Sequence, residues 1–279
     1  MEYKILQEKY TKCCQLVTGN RLHEAFAVLQ EMLALSPNGA LNDKLEDDRI
    51  TYTNILRYSF GEVEDPEKKT VYRRLLRSVI ELADEIREHV IVSKQLLQYT
   101  LQKKEFTNHL AYLPDENSDL IVALKQQAGN ELLKHDKDKA FLYKMNLKRL
   151  FTILWLTDKY RDAEKESISD IIQSDDLPWW DKSMMVSAIT LSLQRYFEEA
   201  KLKLLIEAYK KAEDQVWQRA LVGILVVLYQ YKDRIHLYTN LKKQLEELQE
   251  GFPIEKHVET VIIQFIKARD TEKIAQKFQ

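Results

Sequence analysis

Glu85 and His89 have the spacing that comes nearest to that of a metal site. They lie four residues apart in a predicted helix, so they would share one helical face. A zinc site needs three or four protein ligands, and no third ligand lies nearby in the sequence. We therefore interpret these two residues as an ordinary surface pair.

Catalytic motifs are missing from the sequence. Asp47-Asp48 lacks the third acid that a helical magnesium site needs, and Asp175-Asp176 falls in a predicted turn. Neither a Gly-rich phosphate loop nor the H-E-x-x-H, C-x-x-C or G-x-S-x-G motif occurs. We expect no catalytic residue, no cofactor, no metal and hence no enzyme. An all-α enzyme with an unrecognised site stays as an alternative.

A basic stripe is the first candidate for binding. Lys69, Arg73 and Arg77 are spaced by four and would stack along one face of a helix that begins at Pro66. Such a stripe suits an acidic peptide or a phosphate, held by charge-assisted hydrogen bonds. Glutamates extend the same spacing toward the C-terminus, so an ion-paired surface is the alternative.

Two adjacent tryptophans are the second candidate. Trp179 and Trp180 begin a predicted helix, where neighbouring side chains cannot both point inward. Packing between helical units explains them, and so does an aromatic anchor for a partner. The candidate partner-binding residues are therefore Lys69, Arg73, Arg77, Trp179 and Trp180.

Composition favours an all-α protein. The 279 residues include only 6 Gly and 5 Pro, and helix-forming Leu, Glu, Lys, Gln and Ala are abundant. Lys and Arg total 42 against 44 Asp and Glu, a balance that argues against nucleic acid and against a membrane surface as partner.

The compartment follows from the N-terminus and the cysteines. Charges run through the first residues, which lack the apolar core of a signal peptide. Cys13 and Cys14 are the only cysteines, and a disulfide between such neighbours would be strained. We expect two reduced thiols on a helix and a cytoplasmic protein.

Helical periodicity is nearly continuous along the chain. In the first half, helices are predicted at about 2–17, near 22–36, at 47–58 and from 66 to about 105 with one break. In the second half, we predict helices at about 119–134, 138–157, 161–173, 179–195, 197–211, 214–230, 233–249 and 254–268. Turn-forming residues at 106–119 divide the chain into a region 1–112 and a region 113–279.

One local pattern recurs in the predicted helix pairs. An apolar or aromatic residue is followed by two polar residues, the second an acid, and then by Ala at Ala25, Ala163 and Ala200. The acid lies in the first turn of a helix, where the dipole favours it. In a fourth copy Arg234 stands where Ala would be. Tyr160, Phe197 and Tyr231 begin copies spaced by about 35 residues, a period typical of solenoids.

The segment "GNRLHEAFAVLQEMLALSP" resembles the second half of a tetratricopeptide repeat, through Gly19, Ala25, Leu29, Leu33 and Pro37. Units over about 138–249 resemble degenerate tetratricopeptide or HEAT-like hairpins. The resemblance implies an all-α protein in which stacked antiparallel helix hairpins form a right-handed α-solenoid, with one such hairpin in region 1–112 and the helical repeats in region 113–279.

Ten apolar residues in succession begin at Ala220. The run is too short for a membrane span, which needs about 20 apolar residues. A helix that is apolar on every side must be covered by protein, as an internal helix of a solenoid is. We predict that this helix is interior and that Gly223 allows another backbone to approach it closely.

The end of the sequence keeps an apolar stripe. Val258, Val261, Ile262, Phe265 and Ile266 lie on one face of the last predicted helix. Such a stripe normally meets another helix, and solenoids end in a polar capping repeat. We expect either that another subunit covers this end or that a further C-terminal region follows.

The function expected from these features is that of a non-catalytic helical-repeat scaffold that binds a protein or peptide partner. This expectation depends on the fold class, because solenoids present extended surfaces while their core residues are used in packing. The main alternative is a HEAT-like regulatory or nucleic-acid-associated protein, which would need a basic face assembled from several repeats.

Overall fold

A computed structural model describes residues 2–59, 66–110, 116–128 and 136–277 of the chain. Within these ranges there are thirteen α-helices, one 3₁₀ helix and no strand, so the predicted all-α class is confirmed. No helix in the described ranges is long and apolar enough to cross a membrane. The predicted boundary between regions 1–112 and 113–279 falls at 111–115, outside the described residues.

The helices are numbered in chain order. The bounds are α1 (Glu2–Thr18), α2 (Leu22–Leu33), α3 (Gly39–Ser59), α4 (Pro66–Ser93), α5 (Thr100–Leu110), α6 (Glu116–Ala128), α7 (Lys137–Leu156), α8 (Asp162–Gln173), α9 (Trp179–Arg195), α10 (Glu199–Lys210), α11 (Val216–Gln230), the 3₁₀ helix (Lys232–Leu237), α12 (Thr239–Gly251) and α13 (Ile254–Lys277).

Several helix boundaries differ from the sequence prediction, and the last helix, predicted to end at about 268, continues to Lys277. Helix α3 begins eight residues early because the Asn38 side chain accepts a hydrogen bond from the Leu41 amide, which caps the helix. The long predicted helix breaks after α4, where Gln95 adopts the left-handed conformation and the Leu96 amide bonds back to the Ile91 carbonyl. The helix predicted from residue 233 is a 3₁₀ turn followed by α12.

The helices pack into one continuous core. Helix α1 packs on α2 and α4, and α3 packs on α4. Helix α9 lies between α7 and α11, while α10 packs on α8 and α11. The N-terminal helices meet the second half where α1 and α4 contact the 3₁₀ helix and where α5 contacts α7. The buried apolar cluster extends from Leu6 to Leu248.

Helix α11 is interior over most of the apolar run, as predicted, but Tyr229, the tenth residue of the run, is 79% exposed. Ala220, Leu221, Ile224 and Val227 are buried, and the other residues of the run up to Leu228 are at least half-buried. A Cβ atom added at Gly223 would lie 2.3 Å from Thr190 Oγ1 on α9. The close approach of the two helices therefore requires glycine at this position.

The recurring pattern marks buried positions at its first residue rather than at its alanine. Ala25 is buried, but Ala200 is half-buried and Ala163 is exposed, so the alanine of the pattern does not consistently mark a buried position. The first residues of all four copies are buried: Leu22, Tyr160, Phe197 and Tyr231. Their large side chains fill the space at the start of each following helix.

Candidate partner-binding surface

Trp179 and Trp180 both lie at the surface at the start of α9. Their exposed fractions are 41% and 57%. The two rings make a T-shaped contact, with centroids 5.7 Å apart and planes at 77°. An edge-to-face pair of this kind is a favourable aromatic geometry, and here it holds a large apolar surface in contact with solvent.

The residues next to the tryptophans fix the orientation of this first turn. Tyr143 on α7 donates a hydrogen bond to Asp181 Oδ2 over 2.7 Å. The buried Lys182 ammonium pairs with Glu213 over 2.6 Å, just before α11. Since Asp181 and Lys182 point into the protein, Trp180 is turned outward by the helical geometry.

The outward side of α9 forms a continuous stripe. Its residues follow the alternating four- and three-residue spacing of one helical face. We call this stripe the α9 outer face: Trp180, Met184, Ser187, Leu191 and Gln194. Helix α11 borders it, because Arg219 Nη1 bonds Ser187 Oγ at 3.2 Å and Gln230 donates to the Gln194 carbonyl at 2.9 Å.

A cavity of about 240 Å³ lies at the C-terminal end of the α9 outer face. It is formed where α1, α4 and the segment before α5 approach α7 and α9. Its walls include the apolar Leu191, the aromatic Tyr3, Tyr99 and Trp155, and the charged Glu88 and Arg195. A pocket that combines aromatic walls with a few charged groups is typical of sites that receive a side chain of a partner.

The charges of the second half are distributed unevenly between its helices. Helices α7, α9 and α11 carry eight Lys or Arg residues and two Asp residues. Helices α8, α10 and α12 carry six basic and nine acidic residues. On α7 and α11 the exposed bases include Lys144, Lys148 and Arg219. The two bases of α9, Lys182 and Arg195, have buried side chains, so the exposed positive charge of these three helices lies on α7 and α11.

The three residues of the predicted basic stripe on α4 have different environments. Lys69 and Arg73 are exposed. Arg77 bonds Glu81 at 2.8 Å and Glu199 at 3.0 Å, and its guanidinium lies 4.5 Å from the centre of the Tyr238 ring. Arg77 thus connects α4 to α10 and to Tyr238, the residue before α12.

Glu85 and His89 do not converge on one point. Glu85 pairs with Lys44 at 2.6 Å and with Lys159 at 2.7 Å, whereas His89 Nε2 lies 3.1 Å from Ser36 Oγ. Among the residues with described side chains, no three His, Cys, Asp or Glu are grouped as metal ligands would be. Both cysteines are free thiols.

A chain of buried charges joins the two halves of the protein and was not predicted. Arg195 pairs with Glu88 at 2.5 Å and also contacts Asp158, which bonds Lys103 at 2.7 Å. Arg87 donates to the Arg195 carbonyl at 2.5 Å. These groups come from α4, α5 and the C-terminal ends of α7 and α9. The paired residues are separated by up to 108 positions in sequence, so a local sequence pattern could not predict these contacts.

Lys201 is the most deeply buried base of this region. Its side-chain nitrogen, Nζ, donates to the carbonyls of Thr157 and Asp158, both at 2.6 Å, and lies 4.5 Å from the centre of the Tyr160 ring. Burial lowers the pKa of Lys201 to about 7, against the attraction of Glu198. Nothing in the helical periodicity distinguishes this lysine from the exposed ones.

Comparisons with protein-family models, with curated proteins and with solved structures found no match to this chain. The arrangement of many helices packed against one another is compatible with a helical repeat.

Proposed function

We propose that the protein is a non-catalytic, cytoplasmic helical-repeat scaffold related in architecture to tetratricopeptide and HEAT-like solenoids. The pairing of helices supports this architecture, because α9 packs between α7 and α11 and α10 packs on α8. Contacts recur at a spacing of 38 residues, as between the Tyr160 amide and Glu198, and between Ser169 and Glu207. Stacked antiparallel hairpins would produce this regular offset.

The α9 outer face is the proposed site for a protein or peptide partner. The observation that carries the proposal is the exposure of Trp180 and Leu191 on one stripe that leads to the aromatic cavity. Trp180 and Leu191 are separated by about 16 Å along the helix axis. An extended peptide of about five residues spans that distance. Aromatic side chains at the centre of such surfaces are frequent anchors.

The surrounding charges favour an acidic partner. Arg219 on α11 borders the α9 outer face through its bond to Ser187, and α7 and α11 together carry six Lys or Arg residues and one Asp. Opposite charge on the partner increases the rate of encounter and selects its orientation. We therefore propose a peptide segment in which acids alternate with large apolar residues.

Peptide display tests this proposal without knowledge of the natural partner. Random peptides selected on the full chain should be enriched in acidic and aromatic residues, and the selected peptides should bind weakly to the Trp179→Ser/Trp180→Ser variant. Ile50→Ser is a matched control, because Ile50 on α3 is 58% exposed, much like Trp180. Selected peptides that bind the tryptophan variant and the parent protein equally would exclude this surface.

The nucleic-acid alternative has a specific observation in its favour, namely the basic character of α7 and α11. Exposed tryptophans beside bases suit stacking on single strands. Binding to labelled single-stranded nucleic acid should then weaken steeply with salt. If the protein binds single-stranded nucleic acid and the Trp179→Ser/Trp180→Ser variant does not, the nucleic-acid proposal replaces the peptide proposal.

A further inference from the structure

Helix α13 presents a large apolar surface to solvent. Ile262 and Phe265 are 51% and 60% exposed, and Ile263 and Ile266 are also exposed. Among the described side chains of this helix, those that pack on the protein lie in its first part, such as the partly buried Val258 and Val261. Clustered exposed residues of this size are typical of an interaction surface.

The charges on α13 are arranged in line with this apolar surface. Glu255, Glu259, Ile262, Ile266 and Arg269 follow one another at alternating spacings of four and three residues. This spacing places them on a single stripe of the helix, as in the seam of a coiled coil. All five side chains are exposed. The stripe is therefore acidic near the start of the helix, apolar in the middle and basic further along.

This stripe is complementary to itself in the antiparallel direction. Ile262 and Ile266 lie two residues on either side of Gln264, and Glu259 and Arg269 lie five residues on either side of it. When two copies of the helix are related by a two-fold axis at Gln264, each residue faces the one equally distant on the other side. Ile262 then meets Ile266 of the other copy, and Glu259 meets Arg269.

We propose that α13 binds α13 of a second copy of this chain as an antiparallel helix pair centred on Gln264. The parallel arrangement is disfavoured because it brings Glu259 against Glu259 and Arg269 against Arg269. The charges thus determine the orientation, and the isoleucines supply the apolar contact. Ile263 and Phe265, one residue on either side of the centre, extend the contact laterally. This inference does not depend on the proposed peptide partner, which lies on α9.

The expected association is weak and depends on concentration. The contact involves about three helical turns, a smaller surface than the one that stable complexes bury. Sedimentation velocity of the full chain over a wide range of concentrations should therefore record a monomer that converts reversibly to a dimer.

Charge exchange gives the sharpest test. Glu259→Arg and Arg269→Glu should each weaken dimer formation by about tenfold or more, because each places like charges together twice. The combined variant restores opposite charges and should recover the dimer. A mixture of the two single variants should form a mixed dimer, in which every pair is again opposite.

Two controls keep folding separate from association. Circular dichroism of each variant should remain that of the parent protein, since the changed side chains are exposed. Lys243→Glu reverses an exposed charge on α12 and should leave dimer formation unchanged. A chain that stays monomeric at every concentration would overturn the proposal, as would a dimer that is insensitive to Glu259→Arg and to Ile262→Ser/Ile266→Ser.

Discussion

Asp84 on α4 and Arg234 in the 3₁₀ helix form an ion pair across 150 residues of sequence, with 2.7 Å between Oδ2 and Nη1. The exposed fraction is 0% for Asp84 and 3% for Arg234. Tyr10 on α1 donates to the other Asp84 oxygen at 2.6 Å, and Arg234 stacks on Phe197 and Tyr231. This one carboxylate therefore connects the N-terminal helices to the second half.

Removal of Asp84 should be strongly destabilising. Asp84→Ala leaves the buried Arg234 guanidinium without its counter-charge and Tyr10 without its acceptor, at an expected cost of about 3–5 kcal/mol in the free energy of unfolding. Urea unfolding monitored by circular dichroism measures this loss. In the combined Asp84→Ala/Arg234→Met variant the Arg234 charge is removed together with its counter-charge, and the buried Arg87 keeps its hydrogen bond to the Arg195 carbonyl, so the loss should be smaller than the sum of the two single losses.

An exposed ion pair serves as the comparison. Lys242 and Glu246 lie 3.6 Å apart on α12, and both side chains are mostly exposed. Glu246→Ala should change the stability little, because solvent screens such pairs. Equal losses for Asp84→Ala and Glu246→Ala would contradict the role assigned to the buried pair.

Gly223 should tolerate no larger side chain. Gly223→Leu forces atoms into the space occupied by Thr190 and Leu205, so it should lower the free energy of unfolding by about 1–3 kcal/mol or more. Gly251 is the matched control, because a Cβ atom there would meet nothing within 4 Å. Gly251→Ala should leave stability unchanged or raise it slightly. Similar losses at both glycines would mean that α9 and α11 are not in close contact.

Lys201 should make stability depend on pH between about pH 7 and pH 10. Its pKa is lowered to about 7 in the folded protein, so in this range the unfolded chain binds a proton that the folded protein does not. The free energy of unfolding should therefore rise with pH, by up to about 1.4 kcal/mol per pH unit from this group. As the pH falls from 10 toward 7, the unfolded chain is stabilised by the proton that Lys201 takes up, and the free energy of unfolding decreases.

Lys201→Met separates this contribution from those of other groups. Urea unfolding of both proteins at about pH 7 and about pH 9 should give a smaller rise with pH in the variant than in the parent, because methionine binds no proton. Identical pH dependence in the two proteins would show that the lysine is charged in the folded state throughout this range.

Local patterns predicted the helices well but not the contacts between distant segments. The start of α9 at Trp179 and the interior position of Gly223 follow from side-chain size and helical period. The break at Gln95 was not located because residues other than glycine rarely adopt the left-handed conformation. The role of Arg234 depends on Asp84, which is distant in sequence. Nothing in the pattern around Asp84 indicates that it is buried or that it pairs with an arginine.

The sequence also predicted only part of the candidate surface: it identified the residues but not their partners. Adjacent tryptophans at a helix start indicate that one must be exposed, but only the three-dimensional structure aligns Trp180 with Leu191 and the cavity. The spacing of Lys69, Arg73 and Arg77 indicates a stripe, yet it does not reveal that Glu199 and Tyr238 engage Arg77. Spacing places residues on one helix, whereas their partners come from other helices.

Fluorescence quenching should distinguish the tryptophans. Trp179 and Trp180 are exposed, whereas Trp155 and Trp217 are half-buried, and Trp217 stacks on His257 with 4.3 Å between ring centroids. Acrylamide should therefore quench the emission of a Trp155→Phe/Trp217→Phe variant, which keeps the surface pair, more strongly than that of a Trp179→Phe/Trp180→Phe variant. A peptide that binds the α9 outer face should protect the first variant from quenching and leave the second unaffected. Equal quenching of the two variants would show that the tryptophan pair is not available to a partner.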